Sequence, residues 1–369
     1  MKIVIAPDKY KGFFSAEEAS DIMCDIVHRR LPDAEIKICP MADGGEGTAK
    51  ILAKNMGAIP FTSTTKNAYN EVVSFTYYAT DTCAILESAE IIGLQKVKSP
   101  LTPLDVSTYS LGKIFAHLTK EYQQTILCIG GTSTVDCGVG FLQAMGTVCK
   151  YQGHIIDEIF TPRNYLHFDE FILPDTPNYT TNSHIALCDV QNDILRPDGQ
   201  DMTLFAPQKG LKPSEMPFLR QMIKHITTIA KWNRKNSLAQ TIGAAGGGLS
   251  FAFAQLFGNI KLGAQFLIEK YGIKEYHPDL ILTGEGCYDT QSILGKVPHA
   301  IMTTATDINS KFAIIAGKTD NIPTQIKNKK TIIDTTQFHP ELPLNKTTAT
   351  IRLRLATDFA ITQFLNNNL

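Results

Sequence analysis

Seven short apolar runs, at 2–6, 35–39, 125–129, 184–187, 280–282, 312–315 and 331–333, constrain this chain more than any other feature. They are mostly continuous rather than alternating, which is the pattern of strands buried on both faces in a parallel sheet covered by helices. Helical patterns lie between several of them. After the first run, Ser15 and Glu18 form a capping box, and Ala19, Ile22, Met23, Ile26 and Val27 recur at helical spacing until Pro32. Strand, loop, amphipathic helix and strand make a βαβ unit. Further helices are predicted at 47–56, 106–121, 138–146, 214–230, 247–257, 263–270, 296–306 and 354–366. Segment 71–94, with Val72, Val73, Phe75, Tyr77 and Tyr78, reads as an antiparallel hairpin or part of a mixed sheet. The stretch 160–182, rich in Pro, Asn, Asp and Thr, reads as a long surface loop. The fold class is α/β.

Composition narrows the function. At roughly 150 residues per domain, a chain of 369 residues suggests two domains. Lys+Arg 35 against Asp+Glu 36 leaves a net charge of -1, so no global field attracts nucleic acid or an acidic membrane. The one dense basic run, Lys327, Lys329 and Lys330, reads as a solvated loop. Ile3-Val4-Ile5-Ala6 is too short for a signal-peptide core and no stretch reaches a membrane span, so a cytoplasmic protein is expected. The eight cysteines show no metal spacing and read as free, packed thiols, apart from Cys137 and Cys287 in polar, Gly-rich loops. His299 and His339 sit at no metal spacing, and Trp232 reads as a half-exposed packing residue.

The chemistry follows the strands. Their carboxyl ends lead into Ala6-Pro7-Asp8-Lys9-Tyr10-Lys11-Gly12, 42–48 (ADGGEGT), Gly130-Gly131-Thr132-Ser133-Thr134-Val135-Asp136, Cys188-Asp189-Val190-Gln191-Asn192, Thr283-Gly284-Glu285-Gly286 and Ala316-Gly317-Lys318-Thr319-Asp320. In open parallel sheets ligands bind beyond those ends, where loops converge and helix N-termini offer free N–H groups. Glycine there permits positive φ and lets backbone amides approach an anion, although a Gly-rich turn serves plain close packing about as often. Asp43, Glu46, Asp136, Asp189 and Glu285 repel phosphate unless a divalent cation intervenes, a pattern that points to Mg²⁺ with a nucleotide. Gly243-Ala244-Ala245-Gly246-Gly247-Gly248 leads into an apolar helix, open to an anion or packed against a neighbour. Known signatures fail in detail. Gly295-Lys296 is followed by Val297 where a Walker A loop needs Ser or Thr, and Asp289 takes the last glycine's place in a dinucleotide fingerprint. The residues alone support an α/β enzyme of small anionic ligands.

Taken in order, these motifs resemble the type I glycerate kinases. The resemblance runs through Ala6-Pro7-Asp8 with Lys11-Gly12 and Ser15-Ala16, 42–48, Gly130-Gly131 through Asp136 with Gly138 and Gln143-Ala144-Met145-Gly146, and 188–192. It continues with Pro207-Gln208-Lys209-Gly210, 243–248, and Thr283-Gly284-Glu285-Gly286 with Asp289, Gln291 and Gly295-Lys296. It implies two α/β domains with mainly parallel sheets and a cleft between them, 1–65 plus 280–369 as a Rossmann-like domain and 66–279 as the inserted one. It also implies ATP-dependent phosphorylation of D-glycerate, to 2-phosphoglycerate before 3-phosphoglycerate, with ATP and Mg²⁺.

The resemblance carries roles onto residues. Lys11, Asp43, Asp189, Lys209, Glu285 and Lys296 are the expected catalytic set: lysines for phosphate or carboxylate charge, carboxylates for the base role or for Mg²⁺, with Asp189 and Glu285 as the metal pair. Asp8, Lys9 and Asp136 are expected at the substrate, and Gly44, Gly45, Gly130, Gly131, Gly246, Gly247, Gly284 and Gly286 at the phosphates or nucleotide. Glu46 and Asp289 read as helix caps or lysine partners. Away from such a resemblance, Asp at a strand end is most often a cap and Lys a surface residue. The chain also departs from the family, which has Ser and Phe at Lys9 and Tyr10, Asn at Val135, Gly at Cys137, Pro at Asp193 and Arg at Cys287. A guanidinium lost at Cys287 removes a carboxylate or phosphate partner, and Lys9 is the candidate replacement. Two alternatives stay open: a kinase of another small hydroxy acid, and a catalytically silent glycerate- or nucleotide-binding homologue.

Overall fold

The structure, a computed structural model, describes residues 1–94, 101–174, 183–229, 242–290, 292–322 and 331–369. Trp232, Gln291 and the basic run at Lys327, Lys329 and Lys330 lie outside the described residues. The chain forms two compact units, one from Met1–Asp43 with Ala264–Leu369 and one from Gly44–Gly263.

In the first unit, β2 (Glu35–Ile38), β1 (Lys2–Ile5), β12 (Leu280–Glu285), β13 (Lys311–Ala316) and β14 (Ile332–Asp334) lie side by side, all parallel. The helix Ala16–Arg30 starts at the capping box read from the sequence: the Ser15 hydroxyl accepts from Glu18 N and the Glu18 carboxylate from Ser15 N. Its Ala19, Met23 and Val27 pack with Leu353, Ala356, Ala360 and Ile361 of the helix Lys346–Leu365 against one face of the sheet. The other face carries Ile314, Ala316 and Tyr288 with Met302 of the helix Val297–Asp307. Counted within the unit, the strand order is 2-1-3-4-5, and the sheet reverses direction of growth between β1 and β12. At such a switch point the two following helices leave to opposite faces and a crevice opens at the carboxyl ends.

The second unit is a six-stranded mixed sheet. β5 (Cys83–Glu87), β6 (Gln124–Ile129), β10 (His184–Cys188) and β11 (Ile260–Leu262) run parallel. β4 (Val72–Ala79) and β3 (Ile59–Lys66) add antiparallel strands at one edge. A small antiparallel sheet holds β8 (His154–Ile155), β7 (Val148–Tyr151) and β9 (Glu170–Ile172). Phe115, Phe141, Phe253 and Phe257 form an aromatic centre with ring centroids 4.7–6.3 Å apart.

Five elements differ from the sequence reading. The last helix starts at Lys346, capped by the Asn345 side chain, eight residues before the expected 354, because its Thr-rich first turns carry few apolar positions. Within the stretch read as a loop, Pro162–His167 forms a 3₁₀ helix and Glu170–Ile172 a strand. The edge strand β3 has no counterpart among the expected runs, since most of it is exposed. Most consequentially, β12 extends through Thr283, Gly284 and Glu285, which the sequence placed in a loop.

Candidate active site

The switch point of the first unit opens into a cleft of about 390 Å³, within the usual range for small-molecule sites. The turn after β1 supplies Asp8, Lys9 and Lys11. Asp43 comes from the end of the segment after β2, Glu285, Gly286 and Cys287 from the end of β12, and Lys296 from the residue before the helix Val297–Asp307. Seven of the sequence-predicted residues, Asp8, Lys9, Lys11, Asp43, Glu285, Gly286 and Lys296, therefore line one cavity. Their loops touch because glycine leaves room. A Cβ on Gly284 would lie 1.9 Å from the Ile315 carbonyl oxygen and 2.2 Å from the Tyr10 hydroxyl, and one on Gly286 3.0 Å from Lys11 N. Gly284 and Gly286 thus serve close packing of the strand ends in this arrangement. Tyr10, where the family has Phe, uses its extra oxygen to donate to Ile315 O at 2.6 Å.

Two carboxylates of this cleft, Glu285 and Asp8, are held at raised proton affinities. Glu285 is 6 % exposed; burial above all pushes its carboxyl up to about 7, Asp289 and Asp43 add to the rise, and a Ser292 hydrogen bond and Lys296 oppose it. Its Oε1 is buried without a hydrogen-bond partner. Asp8 is likewise raised, by burial and then by Asp43, although Lys9 N donates to its Oδ1 at 2.6 Å. A buried carboxyl near neutrality with one open oxygen is equipped to accept a proton from a ligand hydroxyl.

The second unit gathers the other predicted residues. Lys209 Nζ donates to Thr132 Oγ1 at 3.0 Å and Thr134 O at 2.8 Å, and burial around the ammonium pushes it down to about 8 against the pull of Asp189 and Asp136. Beside it, Gly246, Gly247 and Gly248 have φ of 63°, 69° and 88° at the entry of the helix Ala245–Phe257, and Thr134 Oγ1 is buried without a partner. Successive glycines at positive φ with the Lys209 ammonium beside Gly247 make a candidate nest for an anion. Gly44 and Gly130 pack instead: a Cβ on Gly44 would lie 2.7 Å from Cys188 backbone, and one on Gly130 2.6 Å from Gly45 Cα and 3.0 Å from Asp189 Oδ2. Gly131 turns at φ 64°. Asp136, expected at the substrate, is fully buried, and its oxygens accept from Thr108 N and Oγ1, both at 2.8 Å, and from Gly138 N and Gly140 N. That is the bonding of a residue that fastens its turn. Cys137 beside it holds φ 55°, which accounts for the family's glycine there.

Sequence reasoning missed several cleft residues. Lys318 was read only as part of a Gly-rich loop, and Phe13, Leu344 and Leu353 carried no signal, because an apolar residue becomes a wall only once its distant partners are known. No group of three potential metal ligands occurs among the described residues. No helix among them is long and apolar enough to cross a membrane.

Comparisons with known proteins agree with this architecture. The glycerate kinase family model matches residues 3–355. A glycerate kinase of Haemophilus influenzae is 32% identical over 330 residues, covering 86% of each chain. The glycerate 2-kinase of Escherichia coli K12 is 31% identical over 332 residues, covering 87% of each. A crystal structure of a Salmonella typhimurium LT2 protein superposes with a TM-score of 0.75 over 100% of both chains at 24% identity, so the fold is shared. With its family motifs collinear and three of them facing one cleft, this chain belongs to the glycerate kinase family.

Proposed function

We propose that this protein transfers the γ-phosphoryl group of ATP to D-glycerate, with Glu285 taking the proton of the attacking hydroxyl. The observation that carries this is the open, buried Glu285 Oε1 at a proton affinity near neutrality, in a cleft that also presents Lys11 and Lys296. Phosphoryl transfer asks the protein mainly for positioning and charge neutralisation, and a base of pKa near 7 suits the proton that must leave. Lys11 and Lys296 answer charge on phosphate or carboxylate. Lys209 with Gly246 and Gly247 offers a second anion position, which we assign to phosphate. Asp136 positions its turn. The likeness to the Escherichia coli glycerate 2-kinase favours 2-phosphoglycerate as product.

The residues fit a nucleotide-borne Mg²⁺. Asp43 and Glu285 both raise the proton affinity of Asp8, and Asp43 that of Glu285, an arrangement that a divalent cation relieves. Mg²⁺ that arrives on phosphates needs only one or two protein carboxylates. We therefore assign it to Asp8 and Asp43, which leaves the open oxygen of Glu285 to the attacking hydroxyl; Asp189 lies in the second unit, near Lys209. When bound, the cation neutralises charge on the transferring phosphoryl group.

A coupled ADP-release assay over a panel of small hydroxy acids tests the reading, with phosphorus NMR of the product separating the 2- from the 3-phosphate. ADP release with D-glycerate is expected. Tight glycerate binding without turnover rejects it in favour of a silent homologue.

One observation favours a second acceptor. Lys9 and Cys287 both line the cleft, so the cation gained and the guanidinium lost relative to the family occupy the same cavity. If Lys9 meets the substrate carboxylate, Lys9→Ser raises KM for glycerate by about tenfold, the weight of one charge-assisted bond. An unchanged KM removes Lys9 from the substrate and favours another hydroxy acid.

A further inference from the structure

One side of the cleft does not match a three-carbon acid. Opposite in character to the lysines and carboxylates at the strand ends, Phe13, Phe14, Ala349 and Leu353 also line it, as part of the apolar cluster beneath the helices Ala16–Arg30 and Lys346–Leu365. Leu344, 62 % exposed, extends this wall to the surface. Every carbon of glycerate bears oxygen, so glycerate gains nothing from an apolar wall whose reachable part is Phe13 and Leu344, backed by the buried Phe14 and Leu353. A nucleoside polyphosphate has the complementary shape: a flat, weakly hydrated ring at one end, and charge at the other for Lys296 and Lys318, both of which line the same cavity.

We infer that this apolar wall is a nucleobase pocket that holds the base mainly by apolar contact. The inference rests on the reading of the chain as an ATP-using kinase. Among the described residues, the polar side chains at this end turn most of their donors to the protein's own backbone and carboxylate oxygens. Arg352 donates to Phe338 O at 3.0 Å, His339 O at 2.8 Å and Leu342 O at 3.1 Å. Thr335 Oγ1 donates to Gly317 O at 2.8 Å and Thr336 Oγ1 to Asp334 Oδ1 at 2.6 Å. Apolar contact separates similar ligands by no more than about a hundredfold, whereas a site built on hydrogen bonds reaches about 10⁴-fold. The protein accepts guanine nucleotides as well as adenine nucleotides.

Calorimetric titration of the full-length protein with ADP, GDP and pyrophosphate tests this. ADP and GDP are expected to bind within about a hundredfold of each other, and base-free pyrophosphate at least about tenfold more weakly than either. Phe13→Ala and Leu344→Ser weaken both nucleotides by a common factor on the order of tenfold, with less than about a twofold change for pyrophosphate. A larger ADP-to-GDP ratio, pyrophosphate binding as well as ADP, no ADP binding, or variants with unaltered nucleotide affinity each overturns the pocket. Leu344 is exposed, so Leu344→Ser carries the test should Phe13→Ala not fold. Nucleotide binding as expected without glycerate phosphorylation rejects the kinase reading alone; glycerate phosphorylation with strict adenine selectivity rejects the pocket alone.

Discussion

Glu285→Gln is expected to lower kcat by about 10²–10⁴-fold, the usual weight of a positioned general base. The substitution keeps size and shape while removing the group that accepts the proton. Wild-type activity, limited by the deprotonated form, falls tenfold per pH unit below about 7, where burial holds this carboxyl. The variant lacks that limb. A wild-type profile flat from pH 5 to 8, or a variant with more than about a tenth of wild-type kcat, removes Glu285 from the chemistry.

The same residue gives a readout in stability that a structural role does not reproduce. Its carboxyl rises from 4.5 in the unfolded chain to about 7 in the fold. A raised folded-state value means that the native protein holds this proton more tightly than the unfolded chain does. The stability so supplied is complete below 4.5 and is lost as pH rises through about 7. Glu285→Gln carries no such penalty, so its stability relative to wild type improves between pH 4 and pH 8 by up to about 3 kcal/mol. Urea unfolding at both pH values measures it. A variant that is inactive yet more stable at pH 8 identifies a group whose burial was costly and was retained for chemistry; one that is inactive and less stable points to packing.

How much of this was legible depended on whether the cause was local. The central strands announced themselves because burial on both faces demands continuous apolar residues, and the helix Ala16–Arg30 because its cap and its stripe agree. From those elements the loops at Asp8, Asp43 and Glu285 could be assigned to strand ends, whereas the strand order, and with it the switch point that opens the cleft, required the structure. The exact strand end could not. Gly284 looks like a loop residue until the Ile315 carbonyl and the Tyr10 hydroxyl are seen to need the space of its missing side chain, which keeps Glu285 on the strand and buries it. The resemblance puts Asp136 at the substrate, and no local pattern could show its bonds to Thr108, which depend on a segment 28 residues earlier. The apolar wall drew on residues 13–14, 344 and 349–353, which sequence patterns have no means of joining.

The largest expected loss of stability is at Gly247→Ala. The residue sits at φ +69°, where a side chain costs about 1–2 kcal/mol, and a Cβ would stand 1.9 Å from the Thr134 carbonyl oxygen. That oxygen has little freedom to retreat, because Lys209 Nζ donates to it at 2.8 Å and Gly247 O itself accepts from Cys137 N at 3.1 Å. Overpacking adds about 1–3 kcal/mol, so the total reaches about 2–5 kcal/mol. Gly12→Ala separates the two causes: Gly12 has φ +88° but nothing within 4 Å of its Cβ, so it carries strain alone. Urea unfolding of both variants is expected to place Gly247→Ala well below Gly12→Ala, and equal losses would mean that the contact with Thr134 relaxes freely. Because the added carbon would also come within 2.9 Å of Lys209 Nζ, the loss extends to the anion nest: the glycine that packs this turn is the one that lets the ammonium sit within it.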